Sequence, residues 1–109
     1  LVGAAVDAVG AATLSAGNGF YNASQVLSGG ALYVSAPNLT NAANASLAST
    51  TTTTINATNF TNAGLVNGST TNVTVAGALN NSGGSLMAVN SLNVNTGTLN
   101  NQNGIIFAG

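Results

Sequence analysis

Residues 79–101 read Leu79-Asn80-Asn81-Ser82-Gly83-Gly84-Ser85-Leu86-Met87-Ala88-Val89-Asn90-Ser91-Leu92-Asn93-Val94-Asn95-Thr96-Gly97-Thr98-Leu99-Asn100-Asn101. A large apolar residue followed two positions later by Asn opens this stretch, and the same pair closes it 20 residues on. Between the two lie Gly83-Gly84, which punctuate a turn, the apolar cluster Leu86-Met87, and Leu92 and Val94. That last pair alternates with polar residues, the period-two mark of a half-buried strand.

The same pattern extends in both directions, and internal repetition at this length is the mark of a repeat architecture. Phe60-Thr61-Asn62, Leu39-Thr40-Asn41 and Phe20-Tyr21-Asn22 precede it, at intervals of 19, 21 and 19 residues read from the N-terminal side. One step further back lies Leu1, with Gly3 where Asn would stand. Coils therefore begin near residues 1, 20, 39, 60, 79 and 99, and the sixth stops halfway at Gly109. Alternating pairs recur at Leu32/Val34, Thr53/Ile55, Val73/Val75 and Leu92/Val94, with Thr71 expected on an outer surface. Further apolar clusters stand at Val26-Leu27, Leu65-Val66, Leu86-Met87 and Ile105-Ile106-Phe107. Gly29-Gly30, Asn67-Gly68 and Gly83-Gly84 read as turns. Helix is disfavoured, because Thr, Asn, Gly, Val and Ser dominate and the strong helix formers are nearly absent.

These observations imply an all-β chain and a β-solenoid (parallel β-helix) of about 20 residues per coil. Residues 1–109 form one repeat domain of five to six coils. Rungs would stack at about 4.8 Å. Asn22, Asn41, Asn62, Asn81 and Asn101 would form an Asn ladder, amides bonding from rung to rung as in cross-β stacks. The alternative is an antiparallel β-sandwich of short strands.

Composition narrows function by exclusion. An average domain is about 25% charged; this chain of 109 residues has one charged side chain, Asp7, and no Lys, Arg, His, Cys or Trp. One carboxylate makes neither a metal site nor an acid–base pair. A Ser or Thr nucleophile has no base, and phosphates have no cation to meet. The expectation is no enzyme, no cofactor, no metal and no nucleic acid. Disorder is not expected of a chain that is 45% hydrophobic with a net charge of −1. The apolar stretch from Leu1 to Ala12 is too short to span a membrane and holds Asp7. No basic signal-peptide region is present, and a chain opening on Leu reads as a processed product or a fragment.

The stretch Leu79-Asn-Asn-Ser-Gly-Gly-Ser-Leu-Met to Asn103-Gly104, and more loosely residues 60–78, resembles the haemagglutinin-type repeats of two-partner-secreted bacterial adhesins. Those repeats alternate a Leu-x-Asn-x-x-Gly turn with short apolar strands. The resemblance implies a right-handed parallel β-helix, a secreted or surface structural role, and no catalytic residues. The adhesins are very long and ordinarily charged, and this chain departs from them on both counts.

Four further features bear on function. Sequons N-x-[ST] occur at Asn22, Asn38, Asn44, Asn56, Asn59, Asn67, Asn72 and Asn80. The 18 Asn and 24 Ser or Thr predict about four by chance, half of the eight present. Asn67 and Asn38, read as turn residues, are the first candidates for glycan; the competing reading is that strand alternation places polar residues two apart anyway. Ser49 to Thr54 is a Thr run suited to an ice-binding array, provided the rank repeats on every rung, or else a β-prone outer face. Asp7 reads as an exposed solubilising charge rather than a subunit contact; a pilin-like role needs a far longer apolar helix. Phe20 and Phe60 are expected in the core and Tyr21 outside.

A chain this uncharged associates readily. Both ends are apolar, at Leu1-Val2 and at Ile105-Ile106-Phe107, and neither carries the charge that protects open β-edges. The function expected is that of a structural subunit of an extracellular filament or surface fibre, a self-assembling homopolymer joined head to tail. The alternatives are a repeat fragment of a secreted adhesin or an ice-binding solenoid.

Overall fold

The computed structural model describes residues 5–109; Leu1, Val2 and the first proposed coil start lie outside them. Ten strands follow in order: β1 (Val6–Ala8), β2 (Ala12–Ser15), β3 (Gly19–Asn22), β4 (Gln25–Ser28), β5 (Leu32–Asn41), β6 (Ser46–Ser49), β7 (Thr52–Asn62), β8 (Leu65–Asn80), β9 (Ser85–Asn100) and β10 (Ile105–Ala108). No helix occurs among the described residues. Among the described residues every strand pairing is parallel and joins one coil to the next. The fold is a β-solenoid, and the parallel pairing rules out the antiparallel sandwich.

Each coil presents three faces. The first stacks β1, β4, β6, the start of β8, the start of β9, and β10. The second stacks β2, the start of β5, the start of β7, and the middles of β8 and β9. The third stacks β3 and the ends of β5, β7, β8 and β9. Alternation along each strand turns one residue in and the next out. Where a strand rounds a corner the alternation lapses and two neighbours point outward, as at Pro37-Asn38 and Thr58-Asn59. Pro37 is tolerated at such a corner because a donor is not needed there.

Three apolar columns fill the interior. Val26, Leu47, Val66 and Leu86 line the first face; Val34, Ile55 and Val73 line the second; Leu39, Phe60 and Leu79 line the third. All are at most 1% exposed. The third column consists of the residues whose 19-to-21 spacing defined the coils, in register from Phe20 through Leu99. Leu47, in a coil where no apolar pair stood out, completes the first.

The expected alternating pairs shift on one coil. Thr53 pairs with Thr71 and Ile55 with Val73, so Val75 stacks on Ala57 rather than Ile55. Ile55 and Val73 are eighteen positions apart, because both the turn after Asn62 and the corner after Asn67 are shorter than their counterparts one coil earlier. Thr71, expected outside, lies inside on the same side of the strand as Val73 and Val75, and the register change stacks it on Thr53; both are fully buried. Both hydroxyls are satisfied. Thr53 Oγ1 donates to the Asn67 carbonyl at 2.7 Å, and Thr71 Oγ1 to the Met87 carbonyl at 2.7 Å. Asn67-Gly68, read as a turn, lies within β8, where Asn67 pairs with Ala48 and Met87.

The turn after the third face passes through the left-handed region at Asn44, Gly83 and Asn103, with φ of 67°, 72° and 57°. Asn and Gly are the residues that adopt it at least cost. The following Gly84 and Gly104 press against the coil beneath. A Cβ on Gly84 would collide with the Asn62 carbonyl, and one on Gly104 with the Asn81 carbonyl.

Candidate functional site

The corner between the third and first faces holds a continuous line of buried amides. Asn22 Nδ2 donates to Asn41 Oδ1 at 3.0 Å, Asn41 to Asn62 at 2.9 Å, Asn62 to Asn81 at 2.8 Å, and Asn81 to Asn101 at 2.7 Å. The second hydrogen of each Nδ2 is also used, on the carbonyls of Ser46, Leu65, Ser85 and Ile105. Asn22, Asn41, Asn62 and Asn81 are 0% exposed. No buried side-chain N or O among the described residues lacks a partner. The line has a direction that residue type alone does not specify. Every amide donates toward the C-terminal end, so Asn101 presents Nδ2 there and turns to the Gly104 carbonyl at 3.4 Å. At the other end Asn22 Oδ1 accepts from the Ser24 backbone N–H at 3.1 Å.

The ends of the apolar columns are less covered than their middles. Val6, Leu14 and Phe20 at one end, and Leu92, Val94 and Ile106 at the other, pack on the core while staying half-buried. Leu99, inward in register with Leu79, is 49% exposed. Of the Ile105-Ile106-Phe107 cluster only Ile106 faces inward; Ile105 and Phe107 point outward, 52% and 53% exposed. They continue outward positions of the first face, where Phe107 pairs with Met87 and Ile105 with Ser85. The sole charge, Asp7, is exposed on β1, the first strand of that face, paired with Leu27.

The outward side of the second face carries no charge. On the second face Thr13, Tyr33, Thr54, Asn72 and Asn93 form one outward column. Two of its five residues are Thr, so the Thr run does not repeat as a regular array from rung to rung. Asn93 Nδ2 donates to Asn72 Oδ1 at 2.8 Å along this column. The aromatic residues divide as their alternation requires: Phe60 is in the core, Phe20 is half-buried, and Tyr21 and Tyr33 are exposed.

The eight sequons fall into three environments. Asn22 is sealed in the amide line. Asn67, Asn72 and Asn80 are half-buried on strands, and Asn38, Asn44, Asn56 and Asn59 are exposed. Asn38 lies within β5 at a corner rather than in a free turn. Among the described residues there is no group of three or more His, Cys, Asp or Glu, and no helix long and apolar enough to cross a membrane. No family model, no curated protein and no solved structure matches this chain.

Proposed function

We propose that this chain is a structural subunit of an extracellular filament or surface fibre, extended end to end through the open edges of the solenoid. The observation that carries this reading is the state of the two ends: half-buried apolar columns above strand edges that meet no further strand among the described residues, with Asp7 the only charged side chain. Edges of this kind pair with another chain unless charge, Pro or a covering segment prevents it. The contact is heterologous, one end against the other, and such contacts generate open polymers when they do not close. Five to six rungs advance each subunit by about 25–30 Å at about 4.8 Å per rung. The role is mechanical and adhesive, and it calls for no catalytic group.

Among the described residues the first face has one strand more than the second, since β10 stands above β9. A second copy that pairs β1 with β10 therefore leaves a notch one rung deep on the second face. The second reading is a repeat stretch of a long secreted adhesin, favoured by the all-parallel stacking of the coils in register.

Negative-stain microscopy and sedimentation of the native material test the first reading. Long polymers of uniform width that pellet, and that disappear when residues 105–109 are deleted, are the expected result. Monodisperse monomers at high concentration, or normal fibres from the truncated chain, overturn it. Small species with ragged ends point to the second.

A further inference from the structure

Outward positions on this solenoid differ sharply in what they offer. Alternation in strands predicts that sequon residues lie on the surface, yet it does not decide which amide nitrogens are available. Asn22 spends both amide hydrogens inside the fold. Asn59 is exposed, but its Nδ2 is drawn to Asn38 Oδ1 at 3.4 Å and its Oδ1 holds the Ala78 N–H at 3.2 Å. Asn72 and Asn80 are half-buried, and their Oδ1 atoms accept from Asn93 Nδ2 and from the Ser82 N–H. Asn44 is fixed in a left-handed turn whose carbonyl accepts from Gln25 Nε2 at 3.0 Å. Asn67 is half-buried within β8, held between Ala48 and Met87 on the first face. Asn38 and Asn56 remain. Both are exposed and on strands, and among the described residues neither Nδ2 meets an acceptor; the side chain of Asn38 is engaged only through its Oδ1, by the long bond from Asn59 Nδ2 at 3.4 Å, which leaves its nitrogen outward.

These two lie at or beside the corner between the second and third faces, on neighbouring coils. Asn38 follows Pro37 directly, and Asn56 stands two residues before the corner residue Thr58. A shallow, open depression lined by Ser35, Pro37, Asn56, Thr58 and Ala76 lies against Asn56. Pro37 and Ala76 in its lining offer apolar surface to the carbon face of a first sugar ring, and Ser35 and Thr58 offer hydroxyls. The opposite side of the molecule is different: the first face carries the exposed apolar residues Leu27, Ile105 and Phe107.

We propose that Asn38 and Asn56 are sites of covalent N-glycosylation, and that the glycan cloaks the corner between the second and third faces while leaving the first face bare. The donor class is an oligosaccharide linked through pyrophosphate to a polyprenyl lipid, delivered by a transferase. Asn Nδ2 forms the new bond to the anomeric carbon, the bond from that carbon to the pyrophosphate oxygen breaks, the lipid pyrophosphate leaves with the electron pair, and the amide gives up one proton. A bulky neutral glycan disperses a surface that lacks charge. This inference is independent of how the ends associate.

Peptide mass mapping of the chain made in its native cells tests it. The absence of Lys and Arg makes trypsin useless, so elastase is the protease of choice. Peptides holding Asn38 and Asn56 are expected to carry sugar mass, while Asn22 is bare. Thr40→Ala and Thr58→Ala destroy the two sequons and keep both Asn residues. Each should abolish the increment at its own site and leave the far-ultraviolet circular dichroism unchanged. Bare mass at both sites, sugar on Asn22, or sugar retained at Asn56 in a folded Thr58→Ala chain overturns the proposal.

Discussion

Asn62 Nδ2 donates to Asn81 Oδ1 at 2.8 Å, and both residues are 0% exposed. Asn81 in turn donates to Asn101 Oδ1 and to the Ile105 carbonyl. Replacing Asn81 by Leu leaves the Asn62 amide hydrogen and the Asn101 oxygen without their partners. The expected loss is about 1–3 kcal/mol, the cost of leaving buried polar groups unmade. Thr74→Leu, on the exposed side of the second face, should stay within about 0.5 kcal/mol. Urea unfolding of the two variants side by side checks this, and equal losses would show that the amide line adds nothing.

Thr71 tests the inward register of the second face. Its hydroxyl donates to the Met87 carbonyl inside the core. Thr71→Val keeps the shape and removes the donor, so it should cost about 1 kcal/mol, a typical net hydrogen-bond contribution. An unchanged midpoint in thermal unfolding would mean that this side chain is outside after all.

Gly84 sits where a Cβ would strike the Asn62 carbonyl and crowd its Nδ2. Gly84→Ala must push one coil away from the next, and overpacking of this kind costs about 1–3 kcal/mol. Gly17 has nothing within 4 Å of its own Cβ position. Gly17→Ala should therefore be within about 0.5 kcal/mol of wild type. Calorimetry of both variants makes the comparison.

Phe60 and Phe107 separate core from surface. Phe60 is 1% exposed and Phe107 is 53% exposed. Phe60→Ala should destabilise by about 3–5 kcal/mol, the range for removing a buried aromatic ring. Phe107→Ala should leave unfolding nearly unchanged. A similar loss from each would contradict the assignment of Phe107 to the outer surface of the first face.

Salt provides a test that needs no substitution. The chain has no Lys, Arg or His, so no side-chain ion pair exists to be screened. The unfolding midpoint should not fall as sodium chloride is raised from low to molar concentration, and sulfate should raise it by strengthening apolar burial. A midpoint that drops with sodium chloride would point to an electrostatic contribution that this composition does not contain.

The sequence by itself determined the coil. Phe20, Leu39, Phe60, Leu79 and Leu99 recur at 19 to 21 residues, and parallel stacking turns such a recurrence into a column, because each rung must bury the same face as the one below. It also determined that polar chemistry here is amide and hydroxyl chemistry, since almost nothing else is present. Tertiary structure decided what the period left open. The eighteen-residue step from Ile55 to Val73 is hidden from a count of twenty. It arises because turns and corners absorb length while strand pairing does not, and a shift of two keeps the same alternation with different partners. That step stacked Thr71 on the buried Thr53 and carried the inward positions of the second face back to it, where the Met87 carbonyl meets its hydroxyl. Asn67 became a strand residue for a related reason: Asn-Gly favours a turn locally, but pairing with both Ala48 and Met87 outweighs that preference. The direction of the amide line was likewise settled only in three dimensions. An Asn can point its nitrogen either way along the stack, and it is the carbonyls of Ser46, Leu65, Ser85 and Ile105 that hold every Nδ2 toward the C-terminal end.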